Sequence, residues 1–305
     1  MTSTADDPRR PFGRLLTAMV TPFRADGSLD VDGAAELAGH LVDEQGNDAL
    51  VVSGTTGESP TVSAAEKDIL LRVVIDAVGD RARVIAGVGT NDTRRSVELA
   101  IAAEKAGASG VLAVTPYYNK PPQAGLLAHF TAIADGCGLP VMLYDIPSRS
   151  VIPIEVETMV RLAEHERIVA VKDAKGDLEA TSWVTRRSDL AVYSGDDKNT
   201  LPLLSVGAAG VVGVSSHVFG RQTKTMIHAY ERGDVAGALA AHHAMLPAFK
   251  GFFRTQGVIL VKAALNLEGL PAGPVRLPLV DATPEQIARL RQDCAAAGVR
   301  LGSDA

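Results

Sequence analysis

The chain has 305 residues, of which 46% are hydrophobic, and its formal net charge is −6. This length is enough for one large domain or two smaller ones, each with a buried core. An acidic chain lacks the basic surface that neutralises nucleic-acid phosphates, so we expect small molecules rather than nucleic acid as partners.

Cysteine content and hydropathy exclude several further classes. Cys137 and Cys294 are far apart and lie in no CxxC or Cys/His spacing, which argues against a disulfide framework or a zinc site. No apolar run approaches the ~20 residues of a membrane span. Residues 1–12 lack the apolar stretch of a secretory signal. We therefore expect a cytoplasmic protein in which residues 1–12 form a flexible N-terminal arm.

Eight short apolar runs, rich in β-branched residues, recur along the chain and predict strands. Their near-continuous apolar character is typical of strands that are buried on both faces of a parallel sheet. The runs are residues 15–21, 49–54, 83–89, 110–116, 140–147, 168–173, 190–197 and 210–216.

Segments with helical spacing separate these runs. The segment 63–80 begins with a Ser-x-x-Glu capping box and ends at Gly79, and the segment 96–108 ends at Gly107. Further helical patterns follow the eighth run, at residues 224–246, 257–270 and 283–298.

This alternation predicts an α/β fold, a (β/α)8 TIM barrel over residues 13–222 with a C-terminal helical appendage over residues 223–305 that packs on the barrel. An open doubly wound sheet is the alternative. No complete GxGxxG or GxxxxGK[ST] motif is present, so nucleotide binding is not expected.

In a (β/α)8 barrel the active site forms where the strands end, so polar residues there are informative. Thr55 and Thr56 follow the second run between two glycines, where backbone amides and side-chain hydroxyls can converge on a carboxylate. The alternative is an ordinary Gly-rich turn, which has the same sequence pattern. Tyr117 and Tyr118 follow the fourth run, and we expect a packing role for one of them.

The fifth and sixth runs end in candidates for catalysis. Tyr144 suits proton transfer, and Arg149 suits gripping a carboxylate, although an arginine there is more often part of a surface salt bridge. Lys172 ends the sixth run, and a desolvated lysine amine is the group that condenses with carbonyls to form a Schiff base. The alternative is a charge at the start of a loop, paired with Asp173 or another carboxylate.

The last two runs offer less chemistry. Asp196 and Asp197 end the seventh run, but no third ligand is spaced to complete a metal site, so we interpret them as a turn. The eighth run offers backbone groups around Val212. His217 is the one histidine at this end of the predicted barrel, and we favour a structural role for it.

Six motifs in order, "GTTGE", "VTPYYNKP", "LYDIPSR", "VKDAKG", "SGDD" and "GVVGV", resemble the dihydrodipicolinate synthase and N-acetylneuraminate lyase superfamily, from about Leu15 to the C-terminus. Within it, the double threonine of "GTTGE" and the arginine of "PSR" resemble the dihydrodipicolinate synthases rather than the sialic acid or keto-sugar-acid aldolases. The resemblance implies a lyase of lysine and diaminopimelate biosynthesis that condenses pyruvate with L-aspartate 4-semialdehyde to 4-hydroxy-tetrahydrodipicolinate.

The resemblance also implies a role for each residue. Lys172 forms the imine with pyruvate, and Tyr144, Thr55 and Tyr118 form a proton relay. Thr56 and the backbone of Val212 hold the pyruvate carboxylate, and Arg149 binds the carboxylate of the second substrate. The family forms homotetramers, dimers of dimers, in which one tyrosine of the adjacent pair crosses a tight interface; this implies that role for Tyr117. No metal or organic cofactor is implied.

The chain departs from the resemblance at five positions. The family commonly has threonine at Lys175 and asparagine at Asp145, so we expect Lys175 to pair with Asp145 or Asp173 and hypothesise that its charge favours the neutral amine of Lys172. Lysine-inhibited members have histidines at the positions of Ala64 and Lys67 and an acid at that of Arg95. We therefore expect weak or absent feedback by lysine.

Two rival functions remain open from the sequence. One is a lyase for a different pyruvate-derived 2-keto acid on the same scaffold. The other is a non-catalytic ligand-binding barrel in which the lysine is a structural charge, because fold alone does not determine function.

Overall fold

Eight parallel strands close into a barrel in the computed structural model, which describes residues 9–302. Each strand pairs with the next, and the eighth pairs with the first. The strands are β1 (Leu15–Ala18), β2 (Ala49–Val52), β3 (Arg83–Gly87), β4 (Gly110–Val114), β5 (Val141–Asp145), β6 (Ile168–Asp173), β7 (Ala191–Ser194) and β8 (Gly210–Gly213). The predicted (β/α)8 barrel is confirmed.

Helices surround the barrel and continue beyond it. They are α1 (Val31–Gly39), α2 (Ala64–Val78), α3 (Thr93–Ala106), α4 (Gln123–Gly136), α5 (Pro147–Ser150), α6 (Val156–Leu162), α7 (Leu178–Arg187), α8 (Thr200–Leu204), α9 (Ser216–Glu231), α10 (Val235–Phe252), α11 (Gly257–Leu267) and α12 (Pro284–Ala296). The capping box is present at the start of α2, and Gly107 ends α3 with a φ of +91°. No helix within residues 9–302 is both long and apolar enough to cross a membrane.

Side chains alternate between the barrel interior and the layer of helices, as the strand repeat requires. In β6, Ala170 belongs to the interior cluster, and Lys172, two residues further, shares its face. Tyr193 of β7 lies in the same interior and closes the opposite end. Its hydroxyl donates to the carbonyl of Gly13 at 2.9 Å and accepts from the amide of Phe12 at 3.3 Å.

The predicted segment boundaries need adjustment at both ends. Residues 1–8 of the predicted arm lie outside the described residues, whereas Phe12 is only 1% exposed and packs with the interior cluster of the barrel. The boundary between residues 222 and 223 falls inside α9. The single helical pattern over residues 224–246 was wrong, because Gly233, at a φ of +81°, separates α9 from α10.

The C-terminal region packs on the barrel and reaches its active end. Lys262 of α11 forms an ion pair with Glu58, in the loop after β2, at 2.8 Å. Arg276 contacts Glu66 of α2 at 2.5 Å, and the rings of Phe219 and Phe252 meet edge to face. Residues far apart in sequence therefore hold the loop that carries Thr55 and Thr56.

Candidate active site

Backbone strain is concentrated at the ends of three strands. Within residues 9–302, five residues other than glycine have positive φ, and all lie in the loops after β2, β4 and β5: Ser53, Glu58, Tyr118, Lys120 and Val151. Side chains other than glycine rarely adopt this conformation, and strain of this kind collects at functional sites. These loops also carry the predicted site residues.

Lys172 is buried at the end of β6, with 4% of its surface exposed. Its Nζ lies 4.4 Å from the centroid of the Tyr144 ring, and no carboxylate among residues 9–302 pairs with it. Asp173 instead accepts hydrogen bonds from the amide of Lys175 at 2.7 Å and the hydroxyl of Thr181 at 2.8 Å. The alternative of a Lys172–Asp173 salt bridge is therefore wrong.

A glycine gives the Lys172 side chain its room. A Cβ placed on Gly195, in the "SGDD" motif after β7, would lie 3.0 Å from Cγ of Lys172 and 2.9 Å from the side chain of Ala174. A larger residue would therefore press on the lysine stem. Gly195 thus contributes to the site by leaving room for the Lys172 side chain, because glycine has no side chain of its own.

A cavity of about 260 Å³ lies beside Lys172 and Tyr144. Four of the predicted site residues line it together: Thr55, Tyr117, Tyr144 and Arg149. Lys172 does not line the cavity itself, but its amine lies against the ring of Tyr144, which does. The structure thus brings together residues from the loops after β2, β4 and β5 with an amine from β6.

Arg149 lies on the short helix α5 at the rim of this cavity. The hydroxyl of Ser150 anchors α5 by donating to the carbonyl of Ile146 at 2.9 Å. Arg149 is exposed, and its guanidinium has no hydrogen-bond or ion-pair partner among residues 9–302. The surface salt bridge considered from the sequence is absent there, so its donors are free for a ligand carboxylate.

Thr56 and Val212 are buried and do not line the cavity. Thr56 is 7% exposed, and Val212, register partner of Leu16, is fully buried. The loop that follows Val212 is held by Asp197, which accepts from the amide of Val214 at 3.2 Å and the hydroxyl of Ser215 at 2.7 Å. Asp197 therefore anchors this loop, and it begins a short 3-10 helix (Asp197–Asn199) where the sequence predicted a turn.

The two adjacent tyrosines face different ways. Tyr117 lines the cavity of its own chain, whereas Tyr118 does not line it and is 87% exposed at a φ of +74°. Burial normally accompanies a side chain of this size, so an exposed tyrosine on a strained loop is unusual. The structure thus places Tyr117 at the cavity of its own chain and leaves Tyr118 exposed.

The second lysine of "VKDAKG" pairs with the end of β5. Nζ of Lys175 lies 3.4 Å from Oδ2 of Asp145, whose Oδ1 accepts from the amide of Ile154 at 3.1 Å. Asp145 is fully buried, and this burial raises its pKa to about 6 although the Lys175 charge lowers it. Of the two partners expected for Lys175, the structure selects Asp145.

Ser53, Gly87 and Gly89 are among the cavity-lining residues that sequence reasoning missed. A Cβ on Gly87 would lie 2.4 Å from the carbonyl oxygen of Ser53, and one on Gly89 would lie 2.2 Å from the amide of Val114. Both glycines belong to "GVGTND" after β3, which has two of the three glycines of GxGxxG, and they allow close backbone approach. Ser53 is buried with a φ of +57°, and no sequence pattern signals it.

Metal-binding groups are not assembled within residues 9–302, where no cluster of three or more His, Cys, Asp or Glu side chains could hold an ion. His217 is fully buried. Its Nε2 accepts from the amide of Val20 at 3.1 Å while Nδ1 donates to the carbonyl of Val214 at 2.8 Å. Burial lowers its pKa to about 4, so it is a neutral structural residue.

Comparison with known proteins gives a consistent assignment. The model of the dihydrodipicolinate synthetase family matches residues 11–297. A 4-hydroxy-tetrahydrodipicolinate synthase of Acidothermus cellulolyticus is 75% identical over 288 residues, covering 94% of this chain and 93% of the relative. A second such enzyme, from Streptomyces coelicolor, is 64% identical and covers 96% of this chain and 98% of the relative.

Solved structures agree with the fold. A DHDPS from Cyanidioschyzon merolae with lysine bound superposes with a TM-score of 0.92 at 46% identity, covering 94% of this chain and 98% of that one. A chloride-inhibited dihydrodipicolinate synthase from Acinetobacter baumannii complexed with pyruvate superposes with a TM-score of 0.90 at 35% identity. The match covers 94% of this chain and 99% of that one. With its barrel, its strand-end residues and a family match over nearly its whole length, the chain belongs to the dihydrodipicolinate synthetase family.

Proposed function

We propose that this chain is a lyase that condenses pyruvate with L-aspartate 4-semialdehyde to 4-hydroxy-tetrahydrodipicolinate, in the cytoplasmic biosynthesis of lysine and diaminopimelate. The observation that carries the proposal is the buried, unpaired amine of Lys172 against Tyr144, beside a cavity with the free guanidinium of Arg149. The relatives at 75% and 64% identity bear the name of this activity.

The chemistry begins at the amine of Lys172. Its nitrogen attacks the keto carbon of pyruvate, and loss of water leaves an imine. Removal of a methyl proton gives an enamine, whose carbon attacks the aldehyde of the second substrate and forms the new carbon–carbon bond. The amino group of the bound adduct then attacks the imine carbon, closes the ring and releases Lys172.

Several steps of this sequence move a proton between substrate and solvent. Tyr144 adjoins the amine and would carry these protons, with Thr55, on the same cavity wall, linking it to Tyr118. Thr56 and the backbone of Val212 would hold the pyruvate carboxylate. The unpaired guanidinium of Arg149 can donate two parallel hydrogen bonds to the carboxylate of the second substrate.

The exposure of Tyr118 bears on the assembly. Tyr118 points away from the cavity of its own chain, so it can join the relay only at the cavity of a second copy. We therefore assign the crossing role to Tyr118 and a place in the wall of its own cavity to Tyr117. The homotetramer, a dimer of dimers, supplies such a second copy.

Trapping of the imine tests the proposal. Borohydride reduces an imine to a stable amine, so treatment with pyruvate followed by peptide mass mapping is expected to add one pyruvyl group to Lys172. Adding L-aspartate 4-semialdehyde without borohydride is then expected to give product. No adduct would favour the non-catalytic binding barrel, whereas an adduct without this product would favour a lyase for another 2-keto acid, to be identified with a substrate panel.

A further inference from the structure

An acid follows the candidate catalytic residue on each of two neighbouring strands. Lys172 and Tyr144 are register partners on β6 and β5. The next register pair is Asp173 and Asp145, which ends the same two strands. Successive side chains of a strand point to opposite faces, so both acids face the helix layer and not the barrel interior. The contacts of these acids therefore lie one residue beyond the reacting groups of the proposed function.

Lys175 contacts both acids. Its backbone amide donates to Oδ1 of Asp173 at 2.7 Å, and its Nζ lies 3.4 Å from Oδ2 of Asp145. The side chains of Lys175 and Asp145 are 18% and 0% exposed, so water screens their charges less than it screens a surface pair. Lys175 therefore holds the loop after β6 against the end of β5.

The other oxygen of Asp145 closes the loop that carries Arg149. Oδ1 accepts from the amide of Ile154 at 3.1 Å, and this bond joins the two ends of residues 146–153, which we call the Arg149 loop. Within this loop Val151 has a φ of +73°, which is unfavourable for a β-branched residue. A strained conformation persists only where surrounding contacts fix it, and the hydrogen bond from Ile154 to Asp145 is such a contact.

We propose that Lys175 and Asp145 are positioning residues for recognition of the second substrate. Together they hold the Arg149 loop against the strand end that carries Lys172, so they set the position of the Arg149 guanidinium relative to the reactive amine. The inference rests on the proposed function, in which one molecule of L-aspartate 4-semialdehyde meets both groups. A displacement of about 1 Å in such an arrangement can cost about 10²-fold in rate.

The two half-reactions should depend on this ion pair differently. Pairing between β5 and β6 places Lys172 and Tyr144, and Lys175 takes no part in that pairing. Formation of the imine with pyruvate is therefore expected to proceed without the ion pair. Addition of the aldehyde needs the guanidinium of Arg149 in place, so it is the step that should suffer.

Steady-state kinetics of the intact protein test this division, because substrates that react in turn each have a kcat/KM that reports their own half-reaction. Lys175→Ala and Asp145→Leu are each expected to lower kcat/KM for L-aspartate 4-semialdehyde about tenfold or more. We expect kcat/KM for pyruvate, and borohydride trapping of pyruvate on Lys172, to stay at the wild-type level. The double variant should lose no more than Asp145→Leu, since both changes break one contact. Lys175→Arg keeps the cation and should retain most of the wild-type value.

Lys198→Ala is the matched control. Lys198 pairs with Asp196 at 3.2 Å in the loop after β7, so this change removes a lysine from an ion pair at a neighbouring strand end. The pair is more exposed than that of Lys175, and we expect both kcat/KM values to stay within about twofold of wild type.

Three results would overturn the proposal. Lys175→Ala and Asp145→Leu could keep the wild-type kcat/KM for the aldehyde, they could lower the value for pyruvate equally, or Lys198→Ala could lower the aldehyde value as much. Should Asp145→Leu fail to fold, Lys175→Ala decides alone, because its side chain is partly exposed. A wild-type protein that forms no product would count against the proposed function instead.

Discussion

The amine of Lys172 lies 4.4 Å from the centroid of the Tyr144 ring, and the two residues are register partners on β6 and β5. Backbone pairing between neighbouring strands, rather than a loop, therefore sets their separation. Sites built on regular elements hold their geometry more closely than sites on loops. The amine and the proton carrier of the proposed reaction are thus placed by the barrel itself.

The variant Tyr144→Phe removes the hydroxyl but keeps the ring, so it distinguishes a role of Tyr144 in proton transfer from its role in packing. We expect Tyr144→Phe to lower kcat by about 10²- to 10⁴-fold, because a positioned general acid or base contributes that much. The ring stays in the barrel interior, so the thermal midpoint should change little. Initial rates and a melting curve measure both. A variant with nearly normal kcat would remove Tyr144 from the relay.

Tyr193→Phe is the matched comparison, because Tyr193 is the register partner of Lys172 on the other side. Its hydroxyl bonds to Gly13 at the opposite end of the barrel. We expect a loss of about 1–3 kcal/mol in the free energy of unfolding, because the buried amide of Phe12 loses its acceptor, with kcat preserved. Denaturant unfolding and initial rates check this, and a large fall in kcat with unchanged stability would contradict it.

Arg149→Ala tests recognition of the second substrate. Loss of a bidentate carboxylate contact is expected to reduce kcat/KM for L-aspartate 4-semialdehyde by about 10²-fold. Arg149→Lys keeps the charge but not the fork, and should recover only part of this loss. Steady-state kinetics with each substrate varied in turn measure the effect. Equal losses for pyruvate and for the aldehyde would show that Arg149 does not select the second substrate.

Complementation between two inactive variants tests the exchange of Tyr118. Chains with Lys172→Ala and chains with Tyr118→Ala are each expected to be inactive, but mixed oligomers contain sites with an intact Lys172 and a partner's intact Tyr118. Co-expression should therefore restore part of the activity. Tyr117→Ala with Lys172→Ala should give no gain, since Tyr117 lines its own cavity. Mixed oligomers verified by native mass spectrometry but without recovered activity would disprove the exchange.

Asp145 predicts a pH dependence of stability. Burial raises its folded pKa to about 6, above its ordinary value of 3.8. Between these values the folded state keeps a proton that the unfolded state releases, so stability falls as pH rises through this window. Asp145→Asn has no carboxyl group to ionise, so its stability should not fall in this pH window. We expect it to be more stable than wild type by about 1–3 kcal/mol in unfolding free energy above about pH 6, with little difference below about pH 4.

Urea unfolding across this pH range measures the difference. Lys175→Ala offers a second test, because it removes the charge that lowers the Asp145 pKa and should widen the pH window. A variant Asp145→Asn that is less stable than wild type above about pH 6 would show that the Lys175–Asp145 ion pair outweighs the burial of the carboxylate.

We expect the Glu58–Lys262 ion pair to couple the loop after β2 strongly to α11. The side chains are 1% and 2% exposed, so either Glu58→Gln or Lys262→Met leaves a buried charge without its partner. Each is expected to cost about 3–5 kcal/mol in unfolding free energy, and the double variant clearly less than the sum. A double-mutant cycle by denaturant unfolding checks this. Additive losses would mean that the pair is not coupled.

The sequence alone determined the barrel and most of its strand-end residues. Apolar runs and helical spacing are local properties, so they identified eight strands and placed Thr55, Tyr144, Arg149 and Lys172 at their carboxyl ends. Closure of a parallel barrel brings all such ends to one face. The site could therefore be anticipated without knowing any contact between the strands.

Only the tertiary structure decided the direction of side chains in irregular loops and the choice among partners. Tyr117 and Tyr118 are adjacent and chemically identical, and the positive φ at Tyr118 separates their surroundings. Lys175 had two acids within reach along the chain, and packing selected Asp145. Lys262 meets Glu58 across much of the sequence. Such contacts depend on φ and ψ in irregular loops and on packing between distant segments, which no local periodicity encodes.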